Sequence, residues 1–290
     1  MTNSPQEIVK LIANAFENGD GVFLNIEDLL EYQVPDGITV GSVEHARFYF
    51  FLIFNDHGTK SSNLYARFRE LFVQHPEIFR AETFASESYG DPSQMLQLLN
   101  GIGLRYPRQA AISWVTNAKR LLQLYGGEPL TCFIHTHDAP TLFRAIRGFR
   151  GYGPKTAGLL LRVIRGVGFN RKLENIGDVP LPVDIHDSRI AFICDLYRPS
   201  GVVNVQEIYG NPRHVAGVES IWRNAAQAVH VPWETIDRAL WILGSRGCVR
   251  RLCHLCPIWK HCNIGRKEVQ NVSSLLDDAL VQHNGQAESM

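Results

Sequence analysis

Net charge is what this chain most plainly lacks. Its 290 residues hold 29 basic and 29 acidic side chains, so no overall field draws it to a polyanion or to a membrane surface. Also missing is any run of about 18 apolar residues, which excludes a membrane-spanning helix from the expectations. The first residues, Met1-Thr2-Asn3-Ser4-Pro5, show no basic stretch followed by an apolar one. No secretory leader is expected, and the expected location is the cytoplasm. Cysteine is sparse, six in all, and four of the six sit within residues 248–262. A disulfide framework spread through a secreted chain is therefore excluded. No internal repeat or long low-complexity segment is present.

The zero charge is a sum of unlike parts. Residues 1–100 carry 14 acidic and 6 basic side chains, whereas residues 104–172 carry 12 basic ones against Glu128 and Asp138 alone. A basic middle can meet a polyanion even in a neutral chain. Scattered arginines on solvated helix faces would give the same count. Length and apolar content suit a soluble globular protein of one large or two small domains.

Within the basic middle, residues 145–161 read as two helices joined by a tight turn. Leu142, Ala145 and Ile146 share one helical face, and Gly148, Gly151 and Gly153 then break the pattern. Pro154 suits the first position of a new helix, where its missing N–H is no loss. Such a turn presents free backbone N–H groups and the positive end of a helix dipole, a place for a phosphate. Lys155 lies in the first turn, where the dipole disfavours its charge and so favours the nucleophilic amine. An ordinary turn with a solvated lysine is the plainer alternative.

Along the chain, Ser4-Pro5-Gln6-Glu7 opens a helix as a capping box, and Gly19 ends it. Residues 43–54 are the most apolar run, and periodicity alone leaves strand and helix both open. The stretch from Asn55 to Lys60 is a polar loop. Further amphipathic helices are expected around Leu64 to Phe72, after Asp91-Pro92, and from Pro107 to Tyr125, with Trp114 in the core rather than on a base-stacking surface. Helical patterns recur at 187–197, 218–229 and 232–243, and disorder is expected from about His283.

Two more clusters can carry chemistry. Asp184 precedes a helix and can cap it, act as a catalytic carboxylate, or do both. Cys248, Cys253, Cys256 and Cys262 follow the spacing C-x4-C-x2-C-x5-C, which points to a metal centre; zinc and an iron–sulfur cluster both accept four thiolates. Cys132 and Cys194 stand apart as core thiols.

Gly151-Tyr152-Gly153-Pro154-Lys155-Thr156-Ala157 resembles the helix-hairpin-helix of the DNA glycosylases related to endonuclease III. Leu181-Pro182-Val183-Asp184-Ile185-His186 resembles that family's Pro-Val-Asp-x-His segment, and the four cysteines resemble its iron–sulfur loop, with a first gap two residues shorter. The likeness includes Gly101-Ile102-Gly103-Leu104 and covers roughly residues 43 to 262. It implies an all-α, two-lobed fold: a helical barrel over 43–165, and a second lobe over 166–290 on which the helices of 1–42 pack. It implies a monomeric enzyme on double-stranded DNA that flips a damaged or modified nucleotide and excises its base, with an oxidised pyrimidine as the default substrate. Lys155 would form a Schiff base and give lyase activity, and Asp184 would support base loss. The resemblance further implies a 4Fe–4S cluster on Cys248, Cys253, Cys256 and Cys262. Gly151, Gly153, Thr156, His186, Arg150 and Lys260 would contact DNA. Arg150 and Tyr152 depart from the usual hairpin residues, which leaves room for a different base. Two other readings stay open: a DNA-binding or damage-sensing protein without catalysis, and an N-glycosidase acting on RNA, nucleotides or foreign DNA.

Overall fold

The computed structural model describes residues 3–57, 60–85 and 90–270. The expectation of disorder from His283 lies outside them. In chain order the α-helices among the described residues are α1 (Pro5–Asn18), α2 (Val43–Ile53), α3 (Ser61–Gln74), α4 (Pro92–Asn100), α5 (Pro107–Tyr125), α6 (Pro129–Ile134), α7 (Ala139–Arg147), α8 (Pro154–Val167), α9 (Ile185–Ile193), α10 (Val205–Tyr209), α11 (Pro212–Ala228) and α12 (Trp233–Ile242). No strand forms among the described residues; one isolated bridge pairs Asp138 with Glu174. The fold is all-α, as the sequence led us to expect. No helix of the described residues is long and apolar enough to cross a membrane.

Local chemistry sets most helix ends. Ser4, Asp91 and Asn211 each accept a backbone N–H in the first turn and are each followed by proline at the first helical position. This cap is why α11 starts at Pro212, ahead of the 218 suggested by apolar spacing. At the other end of α1, Gly19 takes φ +71° and bonds back to Ala15 and Phe16.

The chain divides into two compact units, residues 27–182 and residues 3–26 with 183–270. These limits differ from the sequence boundaries at 43 and 166. Residues 27–42 join the first unit because Glu31 pairs with Arg162 of α8, both almost fully buried, at 2.8 Å. Residues 166–182 join it because the carbonyl of Leu173 accepts from Arg165, and Glu174 exchanges backbone bonds with His137 and Ala139.

In the first unit, α2 is a helix buried on every side: Phe48 to Ile53 are all 0 % exposed. That is why its sequence carries no periodic signal. Phe51 stacks on Trp114 of α5 with ring centroids 4.7 Å apart, and the Trp114 indole donates to the carbonyl of Ile78 at 2.8 Å. Trp114 is core, as expected. In the second unit, Ile8, Val9 and Ile12 of α1 and Trp222 of α11 are fully buried, and α1 packs on α11 and α12.

Two buried polar groups make the first unit sensitive to substitution and to acid. Glu31→Ala would leave the Arg162 guanidinium buried without that carboxylate, a loss of about 3–5 kcal/mol readable in denaturant unfolding. His45 is fully buried against Tyr49 and Phe169, and its Nδ1 accepts from the Gly41 N–H while Nε2 has no partner. Burial lowers its pKa from 6.5 to about 4. The unfolded chain takes up this proton below about 6.5 and the folded one only near 4. Stability is therefore expected to fall across that window as pH drops, by about 3 kcal/mol from this group. Chemical denaturation of His45→Phe between pH 7 and 4 should show a smaller loss than the parent protein.

Candidate active site

Residues 148–153 join α7 to α8 as a tight turn, and the chain around it explains its shape. Asn117 of α5, fully buried, clamps Arg150 from both sides: its Oδ1 accepts the Arg150 N–H at 2.7 Å and its Nδ2 donates to the Arg150 carbonyl at 2.8 Å. The Tyr152 hydroxyl donates to the carbonyl of Phe50 at 2.6 Å. Gly151 takes φ +85°, and a Cβ there would stand 3.4 Å from Phe54. Thr156 is buried, and its hydroxyl donates to the carbonyls of Gly151 and Gly153 at 3.2 and 3.4 Å. It braces the turn from below. Gly153, at the N-cap of α8, faces open space. Arg150 is exposed, with its guanidinium on Gln109 at 3.1 Å.

Lys155 in the first turn of α8 is half-buried. Its Nζ donates to the main-chain carbonyl of Asp56 at 2.9 Å and lies 3.4 Å from the Asp56 carboxylate. Asp56 is 3 % exposed, and its carboxylate also accepts from the hydroxyls of Ser61 (3.1 Å) and Tyr65 (3.4 Å). The sequence reads this stretch only as a polar loop and does not single out the aspartate in it. The signal was there: an acidic residue two positions after the end of the most apolar run in the chain. His57 is the next residue, its ring 5.9 Å from that of Tyr106. Partial desolvation first, then the Lys155 charge, lowers its pKa.

In the other unit Asp184 is the N-cap of α9 and 8 % exposed. Its Oδ1 accepts the N–H groups of His186 (2.6 Å) and Asp187 (3.3 Å), and the Asp187 carboxylate accepts the Asp184 N–H at 2.6 Å. This is a complete capping box. Asp187 is buried, and desolvation, then the charges of Asp184 and Asp237, push its pKa well above the usual carboxylate range. Arg189 sits 2.9 Å from Nδ1 of His186. Arginine only donates, so Nδ1 accepts and the imidazole proton is on Nε2. A Cβ on Gly244 would stand 2.4 Å from the Cβ of His186. That glycine, unremarked in the sequence, lets the backbone pass His186.

Cys248, Cys253, Cys256 and Cys262 line one cavity of about 70 Å³, together with Arg189 and Ile193. On this measure one water needs about 10–15 Å³. Cys248 ends a π-helical turn, Leu243–Cys248, that follows α12. Burial raises the thiols of Cys248 and Cys256 to about 12. Cys262 differs. A hydrogen bond from Cys194 and backbone N–H donors at Gly265 and Ile264 lower it to about 6. Cys194, expected to stand alone, is thus joined to the cysteine loop. No group of three or more His, Cys, Asp or Glu among the described residues converges as the ligands of one metal ion would. Lys260 is exposed, its ammonium 5.4 Å from the centre of the Trp259 ring.

No protein-family model matches the chain, and no curated protein matches it. Among solved structures it is similar to that of a trapped endonuclease III–DNA covalent intermediate, an estranged-adenine complex. The TM-score is 0.56 at 15 % identity, over 92 % of this chain and 99 % of the other. The fold is that of endonuclease III. At this identity the likeness speaks for architecture, and the chemistry has to be argued from the residues of the chain itself.

The cysteine loop yields its own prediction. Protein purified without air is expected to contain iron and acid-labile sulfide in equal amounts, and Cys256→Ser to lose both. Zinc without sulfide would show a single-ion site instead.

Proposed function

We propose that this chain is a DNA glycosylase with lyase activity, acting on a damaged or modified base in double-stranded DNA. The observation that carries the reading is the half-buried Lys155 at the start of α8, behind an anchored glycine turn, on the endonuclease III fold. As a neutral amine, Lys155 attacks C1′ of the nucleotide. The pair of the glycosidic C–N bond leaves with the base. The nitrogen gives one proton to the departing base and the other to O4′ as the C1′–O4′ bond breaks, leaving a Schiff base; loss of a C2′ proton to water then expels the 3′ phosphate. Asp184, its carboxylate fixed by its own cap bonds, is the proposed support for the positive charge that develops at C1′. His186, Arg150 and Lys260, with the open N-terminal end of α8 at Gly153, are the proposed phosphate contacts. An oxidised pyrimidine is the default substrate, within base-excision repair.

Cys248, Cys253, Cys256 and Cys262 are the proposed holders of a 4Fe–4S cluster. The four thiols line one cavity, and four thiolates are the donor set that such a group takes. When bound, such a group serves here as a structural brace for the loop of residues 248–262, because no step above requires an electron.

A second reading, DNA binding without cleavage, draws on the carboxylate beside Lys155. As an ammonium the lysine can hold a phosphate but cannot attack. Borohydride trapping decides between them. Duplexes carrying an abasic site, oxidised pyrimidines, oxidised guanine, uracil or a mismatch are expected to give a covalent adduct with at least the abasic site, and Lys155→Ala none. The lesions that trap name the base. Absence of any adduct, from protein that binds the same duplexes, favours the second reading.

A further inference from the structure

The Asp56 carboxylate is the feature that the reaction above leaves unexplained. A buried carboxylate loses several kcal/mol of solvation and persists only when well paired. Two elements supply its partners, α3 with Ser61 and Tyr65 and α8 with Lys155, while Asp56 itself lies in the loop after α2. The two hydroxyl donors from α3 hold the carboxylate in place beside the lysine. Its effect on the lysine is therefore one of charge and place.

We propose that Asp56 is a positioning residue for Lys155, which aims the amine through its main-chain carbonyl and sets its charge through its carboxylate. This rests on the reading of Lys155 as the nucleophile. The two contacts are separable. The carbonyl bond, at 2.9 Å, survives any side-chain change at residue 56; the carboxylate contact, at 3.4 Å, does not. Direction and charge are thus held by different atoms of one residue. Among the described residues, charged or titratable groups near the pair include His57, next in the loop; Arg105, which acts on His57; Tyr65 on α3; and Glu31 and Arg162, whose charges reach Tyr65.

The test is Asp56→Asn, close in shape and without the charge. Two readouts are taken. The first is the titration of the Lys155 amine by NMR in protein free of DNA, assigned with Lys155→Arg. The expected result is a midpoint lower by about one pH unit. The second is the rate of borohydride trapping on an abasic duplex against pH. Its rising limb should move to lower pH by the same amount. Trapping below the parent limb should then be about tenfold faster, with a plateau within a few-fold because the carbonyl contact remains. A purely structural role would lower the melting temperature or the plateau and leave both midpoints in place; coincident midpoints overturn the proposal. If the parent protein traps nothing, the nucleophile reading fails by itself, and the NMR titration still decides what Asp56 does to Lys155. Should Asp56→Asn not fold, Ser61→Ala takes its place. Losing that hydroxyl leaves the carboxylate leaning harder on Lys155, and the amine midpoint should rise; an unchanged midpoint again overturns the proposal.

Discussion

The burial of α2 on all sides is the constraint on which the first unit depends. A helix with no face to water cannot leave its last four carbonyls to solvent. Here all four find partners. The carbonyl of Phe50 accepts from the Tyr152 hydroxyl and that of Phe51 from the Asn55 side chain; those of Leu52 and Ile53 accept from the backbone N–H groups of Asn55 and Asp56. Closing the helix in this way fixes the glycine turn through Tyr152. It also fixes the loop that carries Asp56. Phe54, just past the helix, is the residue that a side chain at position 151 would meet. Core packing and site geometry are one set of contacts.

Much of this was legible. The turn at 148–153 showed through its glycines and Pro154, because backbone freedom and a fixed φ are properties of single residues. Helix starts at Ser4, Asp91 and Asp184 showed for the same reason, as caps that act within three residues. The type of α2 showed only through the family resemblance and not through periodicity, since a helix buried all round has no polar stripe to reveal its period. Asn117, which meets Arg150 across 33 residues, did not show, nor did Asp56, which meets Lys155 across 99. Glu31 and Arg162 stand 131 apart, and their pairing moves residues 27–42 into the unit that holds α8. Local grammar reads out of the chain; contacts closed by the fold do not.

The cysteines make the same point from the other side. Their spacing marked them as a set, and they do line one cavity. Spacing gave no hint of Cys194, which lies 54 residues before Cys248 and reaches Cys262 only once α9 is in place. It makes the four thiols unequal. Three are raised, with burial as the leading cause, and Cys262 alone is drawn towards its thiolate.

Lys155 shows how magnitudes settle a conflict between local and tertiary effects. Its place at the start of α8 puts the helix dipole against its charge, an effect of about 0.3–1 kcal/mol that fades within one turn. Seen from the sequence this argues for a neutral amine. The Asp56 carboxylate acts in the opposite sense from 3.4 Å, in a site where little water screens it. At the effective dielectric of protein sites, such a pair attracts by several kcal/mol before desolvation is subtracted. Of these two effects on Lys155 the carboxylate contact is the larger. On the proposed reading, that contact has to be released before the amine can act. In this chain the contact that holds it comes from the loop directly after α2, so whatever moves that loop governs the amine.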